Sequence, residues 1–276
     1  MSLGVGMKKN GFTLLEVAIV LVIVGLLLAG GVNLLSGSAD TSKYKQTENN
    51  LQEVKDSLIT YFIQYDGVLP CPDIHNDVNN ASYGQSDYNS GNATSGGVCT
   101  NYEGWLPHTT LGIGGGGDAW GERYKYVVSR AFTAPPVTLP NTNPNLCSGN
   151  FSRSNSAWQI SVYDLLNDVT VAPVQPASGS MLGDWAAFAL ISTGKNGRQA
   201  NANITATSVG AFQGCNTLNP REQYHCIATT PTTTQPFYLR SGTQMSGGSE
   251  IIFDDMVVWV GDYQLISQLR KAGGCN

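Results

Sequence analysis

The chain reads as an α+β protein: a long N-terminal helix, apolar in its first half and amphipathic in its second, packed on a mostly antiparallel sheet. Three observations predict it. Phe12 to Leu35 is an apolar run with a single charge, Glu16. From Asp40 to Tyr65, Leu51, Val54, Leu58, Phe62 and Tyr65 recur at helical spacing with Lys and Glu between them. Beyond residue 67, short β-type segments are separated by Gly-, Pro- and Thr-rich loops, and a helix followed by a run of strands is the α+β pattern.

The first element is long enough, at about 1.5 Å of rise per residue, to cross a hydrocarbon core of roughly 30 Å. Lys8 and Lys9 precede it and no acid comes before Glu16. The positive-inside tendency therefore leaves residues 1–11 in the cytoplasm and exports the chain beyond Leu35. A carboxylate inside such a segment costs about 2.5–3.5 kcal/mol on insertion scales, so Glu16 needs a partner or a function. A cleaved secretory signal has a shorter apolar region and a small-residue cleavage site; a plain signal anchor fits the length but leaves Glu16 without a reason. Ser36-Gly37-Ser38 predicts a break, after which 36–66 forms the amphipathic continuation, ended by Asp66-Gly67 and Pro70.

The stretch from Asp73 to Val98 is rich in Asn, Ser, Gly and Asp and reads as an exposed loop. Asp73, Asn76 and Asp77 faintly suggest oxygen ligands, without the glycine and distal glutamate of a calcium loop. Strands are expected at Tyr124–Val128, Trp158–Tyr163, Trp185–Ser192 and Ile251–Trp259, with loops at Ala134–Pro144, Val174–Ser180 and Thr229–Pro236. A closing amphipathic helix is expected over Tyr263–Lys271.

Of 276 residues, 41% are hydrophobic and 13% charged, which allows a globular core. Net charge is −5, and removing Lys8 and Lys9 with the N-terminal segment leaves −7, so no general affinity for nucleic acid is expected. Six cysteines follow the apolar run, and in an exported region three disulfides are the natural reading, with 15 connectivities open. Cys215 with Cys226 closes a short loop and Cys71 with Cys99 a polar one, leaving Cys147 with Cys275. No Cys-x-x-Cys pair suggests zinc.

Lys8-Lys9-Asn10-Gly11-Phe12-Thr13-Leu14-Leu15-Glu16 resembles the processing site of type IV prepilins and type II secretion pseudopilins. The resemblance implies that a prepilin peptidase removes residues 1–11 by cutting between Gly11 and Phe12. Phe12 is then N-methylated, and 265 residues of the 276 remain. It implies that Glu16 pairs with the Phe12 amine of a neighbouring subunit during assembly. It also implies other pilin or pseudopilin subunits and an inner-membrane assembly platform as partners. The expected location is the bacterial inner membrane with the N-terminus cytoplasmic, then a periplasmic or cell-surface filament. Asn33 stands where many pilins have a proline.

The resemblance continues in Gly67-Val68-Leu69-Pro70-Cys71-Pro72-Asp73, in Gly104-Trp105-Leu106-Pro107 and in Asp118-Ala119-Trp120-Gly121-Glu122-Arg123-Tyr124, which is similar to the turn entering the first strand of the major pseudopilin. Asp254-Asp255 resembles the acidic pair before that protein's final strand, where calcium binds, and is the candidate metal site here. The implied fold is a pilin head over 67–276, with an insertion around 196–249.

Catalytic signatures are missing. Gly112–Gly117 lacks the register of a phosphate loop, Gly194-Lys195 is followed by Asn196, and His75, His108 and His225 are scattered. No enzyme and no organic cofactor are expected. The bulky head favours a minor, low-copy or tip subunit. A major filament subunit and a membrane-anchored binding protein that never polymerises are the alternatives.

Overall fold

The computed structural model describes residues 13–75, 77–90, 98–133, 160–164, 180–183, 185–194, 237–239, 242–246, 249–253 and 255–274. The chain divides into two compact units, Met1–Lys45 and Gln46–Asn276.

Helix α1, Leu14–Gln64, runs without interruption through Ser36-Gly37-Ser38, where local composition predicts a break. Ser and Gly lower helix propensity by at most about 1 kcal/mol each, which a 51-residue hydrogen-bonded helix absorbs. In the first unit, Leu14, Leu15, Val17 and Ile19 through Val24 are exposed with Leu26. Among the described residues no helix is long and apolar enough to cross a membrane. The spanning segment expected at Phe12–Leu35 is thus not shown; Phe12 and the side chains of 27–39 lie outside the described residues.

In the second unit, α1 presents Leu51, Val54, Leu58 and Phe62 of the predicted stripe, all buried, while Tyr65, its fifth member, is half-buried. The helix stops as expected: Asp66 and Gly67 take positive φ of 50° and 92°, and Gly67 N–H donates to the Phe62 carbonyl at 2.8 Å. Asp tolerates the left-handed region better than most residues, and glycine enters it freely.

The stripe packs on a four-stranded antiparallel sheet. Its strands are β3 (Glu103–Trp105), β4 (Lys125–Val128), β7 (Ala186–Ser192) and β11 (Met256–Gly261), in the order β11-β7-β4-β3. One face of this sheet, with Tyr126, Val128, Phe188, Leu190 and Val260, meets α1 and the closing helix α3 (Asp262–Lys271). The other face carries Val127, Ala189, Ile191 and Val257, packed with Ile160 and Val162. Covering on both faces explains why all seven residues of β7 are buried and why its sequence is continuously apolar.

Smaller pieces complete the described head. Strands β1 (Tyr88–Ser90) and β2 (Val98–Cys99) pair antiparallel, as do β9 (Gly242–Ser246) and β10 (Ser249–Phe253). Strand β5 (Ser161–Asp164) pairs antiparallel with β6 (Ser180–Gly183) and parallel with β8 (Phe237–Leu239). Helix α2 is the single turn His108–Leu111.

Two sequence expectations are corrected. Ile251–Trp259 is not one strand: β10 and β11 are separate and pair with different neighbours. The acidic residues at the junction, of which Asp255 is buried, are where the alternating pattern loses its apolar members. The stretch 73–98 is not simply an exposed loop, because Asp73 is fully buried and the stretch contributes β1 and the first residue of β2. A polar composition misleads here because Asp73 finds its hydrogen-bond partners among the polar groups of the same stretch, His75 and Gly84.

Cys71 and Cys99 form the expected disulfide, with Cα atoms 5.3 Å apart across 28 positions. Cys147, Cys215, Cys226 and Cys275 lie outside the described residues. Closing a loop of this length removes about 3–4 kcal/mol of unfolded-state entropy on the chain-entropy account. Replacing both Cys71 and Cys99 by Ser is expected to lower unfolding free energy by about 2–4 kcal/mol in denaturant titrations of the full chain in detergent.

Candidate functional site

The N-terminal turn of α1 is built by Thr13 and Glu16. Thr13 acts as the cap: its Oγ1 accepts from the Glu16 backbone N–H at 3.3 Å, and its carbonyl accepts from Glu16 and Val17 at 3.0 and 3.2 Å. Thr-x-x-Glu is the capping-box pattern, in which the N3 acid also favours the positive end of the helix dipole. The sequence carried this signal in Thr13-Leu14-Leu15-Glu16 beside the processing motif. Glu16 is exposed, with the exposed apolar Leu14, Leu15, Val17, Ile19 and Val20 along the helix beside it. A helix apolar all round requires covering by lipid or by other protein. Gly11 and Phe12 lie outside the described residues.

In the head, two acidic hubs organise the loops. Asp118, in the element that resembles the pseudopilin turn, accepts the backbone N–H groups of Trp120 and Glu122 on Oδ1, each at 2.9 Å, while Ser192 Oγ donates to Oδ2 at 2.7 Å. Ala119 N–H donates to Thr47 Oγ1 on α1 at 3.1 Å. The turn is therefore held to β7 and to the helix by one carboxylate and one hydroxyl, and Gly121 supplies the positive φ of 89° it needs.

Asp73 is the second hub; the sequence grouped it with Asn76 and Asp77 as a faint oxygen-ligand set, but the structure brings it together with His75 and Asp87. Its Oδ1 accepts the His75 backbone N–H at 2.7 Å, and its Oδ2 accepts from Gly84 N–H at 2.7 Å and Arg123 Nη2 at 2.5 Å. His75 Nδ1 lies 3.2 Å from Asp73 Oδ1 and 3.0 Å from Asp87 Oδ2. Ile74 N–H holds the same Asp87 oxygen at 2.8 Å. Arg123 also donates to the His75 carbonyl at 2.7 Å, and its guanidinium sits 4.3 Å from the Tyr83 ring centroid and 5.0 Å from that of Trp105. Burial pushes the Asp87 carboxyl up from its ordinary value, against the lowering pull of the Ile74 N–H and of His75. Among the described residues, Asp73, His75 and Asp87 are the group of three ligating side chains close enough to hold a metal ion.

The residues singled out by sequence as a calcium pair fall elsewhere. Asp255 is buried immediately before β11, and Asp254 lies outside the described residues. Asp255 faces the field of Lys125, a lysine buried on β4. Gly112–Gly117 is the expected turn: Gly112 caps α2 in the left-handed conformation, and Gly116 packs against the His108 ring.

Lys125 and Glu103 carry opposite charges on one face of the sheet and act on each other through their fields. Strand register sets Glu103 opposite Val127 and Lys125 opposite Ile191, so both share the face that holds Val127 and Ile191. Burial pushes Glu103 up to about 7 despite Lys125, and burial lowers Lys125 to about 8 despite Asp255 and Glu103.

The model of the prokaryotic N-terminal methylation motif matches residues 6–32, a span that contains Gly11, Phe12 and Glu16. The match supports a type IV pilin-like protein of the prepilin type. No curated protein and no solved structure matches the chain.

Because the folded-state value of Glu103 is raised, the native chain binds more protons than the unfolded one as pH climbs from about 4.5 to about 7, and stability falls across that window. Lowered Lys125 acts oppositely, with stability recovering as pH rises from about 8 towards 10.5. Thermal melts of the full chain in detergent are expected to show a minimum between pH 7 and 8. Glu103→Gln should remove the acid-side slope, which is on the order of 2 kcal/mol after screening is allowed for.

Proposed function

We propose that the chain is a structural subunit of a type IV pilus-like or type II secretion filament, cleaved after Gly11, N-methylated on Phe12 and assembled through the first half of α1. The observation that carries this reading is the coincidence of the methylation motif at residues 6–32 with the bare apolar helix that begins at Leu14.

Magnitudes favour it over a free-standing helix. Ten large apolar side chains between Leu14 and Leu26 are exposed, and covering each is worth about 1.5–3 kcal/mol. Their sum exceeds the roughly 2.5–3.5 kcal/mol cost of carrying Glu16 into lipid several-fold, so the segment enters the bilayer in spite of its acid. In the filament the same side chains pack against neighbouring helices. Glu16 then accepts the Phe12 amine of the next subunit, which replaces a lone buried charge with a compensated pair and sets register.

The chain is a minor subunit on this reading. A head with an inserted region around 196–249 would crowd its neighbours if repeated at every position, whereas a tip or low-copy position tolerates it. Priming of assembly and surface contact are roles consistent with that place. Dominance of this chain in sheared filaments would instead make it the major subunit.

Intact-mass and N-terminal peptide spectrometry of the protein from its own cells tests the processing. The expected mature chain has 265 of the 276 residues and begins with N-methyl-Phe12; an intact leader or an unmethylated N-terminus would overturn the assembly reading.

A further inference from the structure

We propose that Asp73, His75 and Asp87 form a binding site for a divalent transition-metal ion of zinc's size and ligand preference, which ties the loop between Cys71 and Cys99 to the head. This site is independent of filament assembly.

The geometry starts from one imidazole nitrogen facing two carboxylate oxygens. His75 Nδ1 is 3.2 Å from Asp73 Oδ1 and 3.0 Å from Asp87 Oδ2, and the three ligand atoms lie within 4.8 Å of one another. Zinc binds imidazole nitrogen and carboxylate oxygen at about 2.0–2.2 Å, so tetrahedral ligands stand about 3.3–3.5 Å apart. Two of the three edges are already close to that spacing. The third edge, between the two carboxylates, lies within 4.8 Å, and closing it to the tetrahedral spacing completes the set.

Hydrogen bonding alone serves this arrangement poorly. A neutral imidazole offers a single proton at Nδ1, and that proton cannot point at both carboxylates. Charge is also unevenly met: Asp73, 0% exposed, is paired with the Arg123 guanidinium, whereas Asp87, 17% exposed, is held by the Ile74 N–H and faces His75. An ion between the three atoms serves both oxygens and supplies the missing positive charge.

The surroundings hold the ligands in the required orientation. Gly84 N–H and Arg123 occupy Asp73 Oδ2, leaving Oδ1 turned to His75. Ile74 N–H fixes the Asp87 oxygen, and the His75 N–H fixes Asp73 Oδ1. Such outer contacts orient metal ligands in established sites. The His75 side chain is 24% exposed, so solvent reaches the place of a fourth ligand. The donor set, with a nitrogen and only two carboxylates, suits zinc better than calcium, which takes six to eight oxygens. Both ends of the loop are tied by the Cys71–Cys99 disulfide and by the pairing of Tyr88 with Cys99.

The test uses the full chain in detergent, treated with chelator and titrated calorimetrically with zinc chloride at pH 7, with calcium chloride in a parallel arm. One equivalent of zinc is expected to bind at micromolar concentration or tighter and to raise the melting temperature. Binding should weaken at least tenfold on acidification to pH 5, as protons compete for the ligands, and be lost in His75→Gln and Asp87→Asn. No zinc binding by the wild-type chain, undiminished binding by both variants, or a preference for calcium would overturn the site. Should a variant fail to fold, X-ray absorption of the zinc-loaded wild-type protein decides: one imidazole with oxygen ligands supports the proposal, and sulfur ligation or an all-oxygen shell refutes it.

Discussion

The exposed apolar surface at the start of α1 is the constraint on which the rest of the chain's behaviour depends. Leu14 through Leu26 offer side chains that water disfavours on all sides of the helix, with Glu16 as their one charge. No turn of the helix hides them, because an all-round apolar surface has no polar face to present. The chain must therefore be covered by something other than itself. The match to the prokaryotic N-terminal methylation motif over residues 6–32 falls on this same surface and supports a pilin-like protein.

Glu16 has two roles that do not compete. As the acid in Thr13-Leu14-Leu15-Glu16 it lies at the N-terminal turn, where the dipole favours negative charge. In the assembly proposed above, it is also the lone carboxylate of an apolar surface and would receive a neighbour's cation. The head obeys a different logic. Its sheet is buried on both faces, and its long polar loops are held by carboxylates that collect backbone N–H groups, Asp118 on one side and Asp73 on the other.

How far the fold was legible depends on which signals are periodic. Leu51, Val54, Leu58 and Phe62 announced their burial because helical spacing survives in sequence, and β7 announced itself because seven consecutive buried residues leave a continuous apolar string. The Asp73 hub was hidden because its partners are backbone groups and side chains scattered from His75 to Arg123, joined only once the chain is folded. Ser36-Gly37-Ser38 misled in the opposite sense: local propensity favours a break that a long cooperative helix overrides. The methylation motif was readable directly, since the match at residues 6–32 is to the linear sequence itself.

The most direct measurement of the central claim is the fate of Glu16→Val in cells that build the filament, assayed by membrane fractionation and by immunodetection in sheared filaments. The account predicts normal insertion into the membrane with at least tenfold less of the variant in filaments, because lipid does not need the carboxylate and the neighbouring amine does. Incorporation equal to that of the wild-type chain would contradict it.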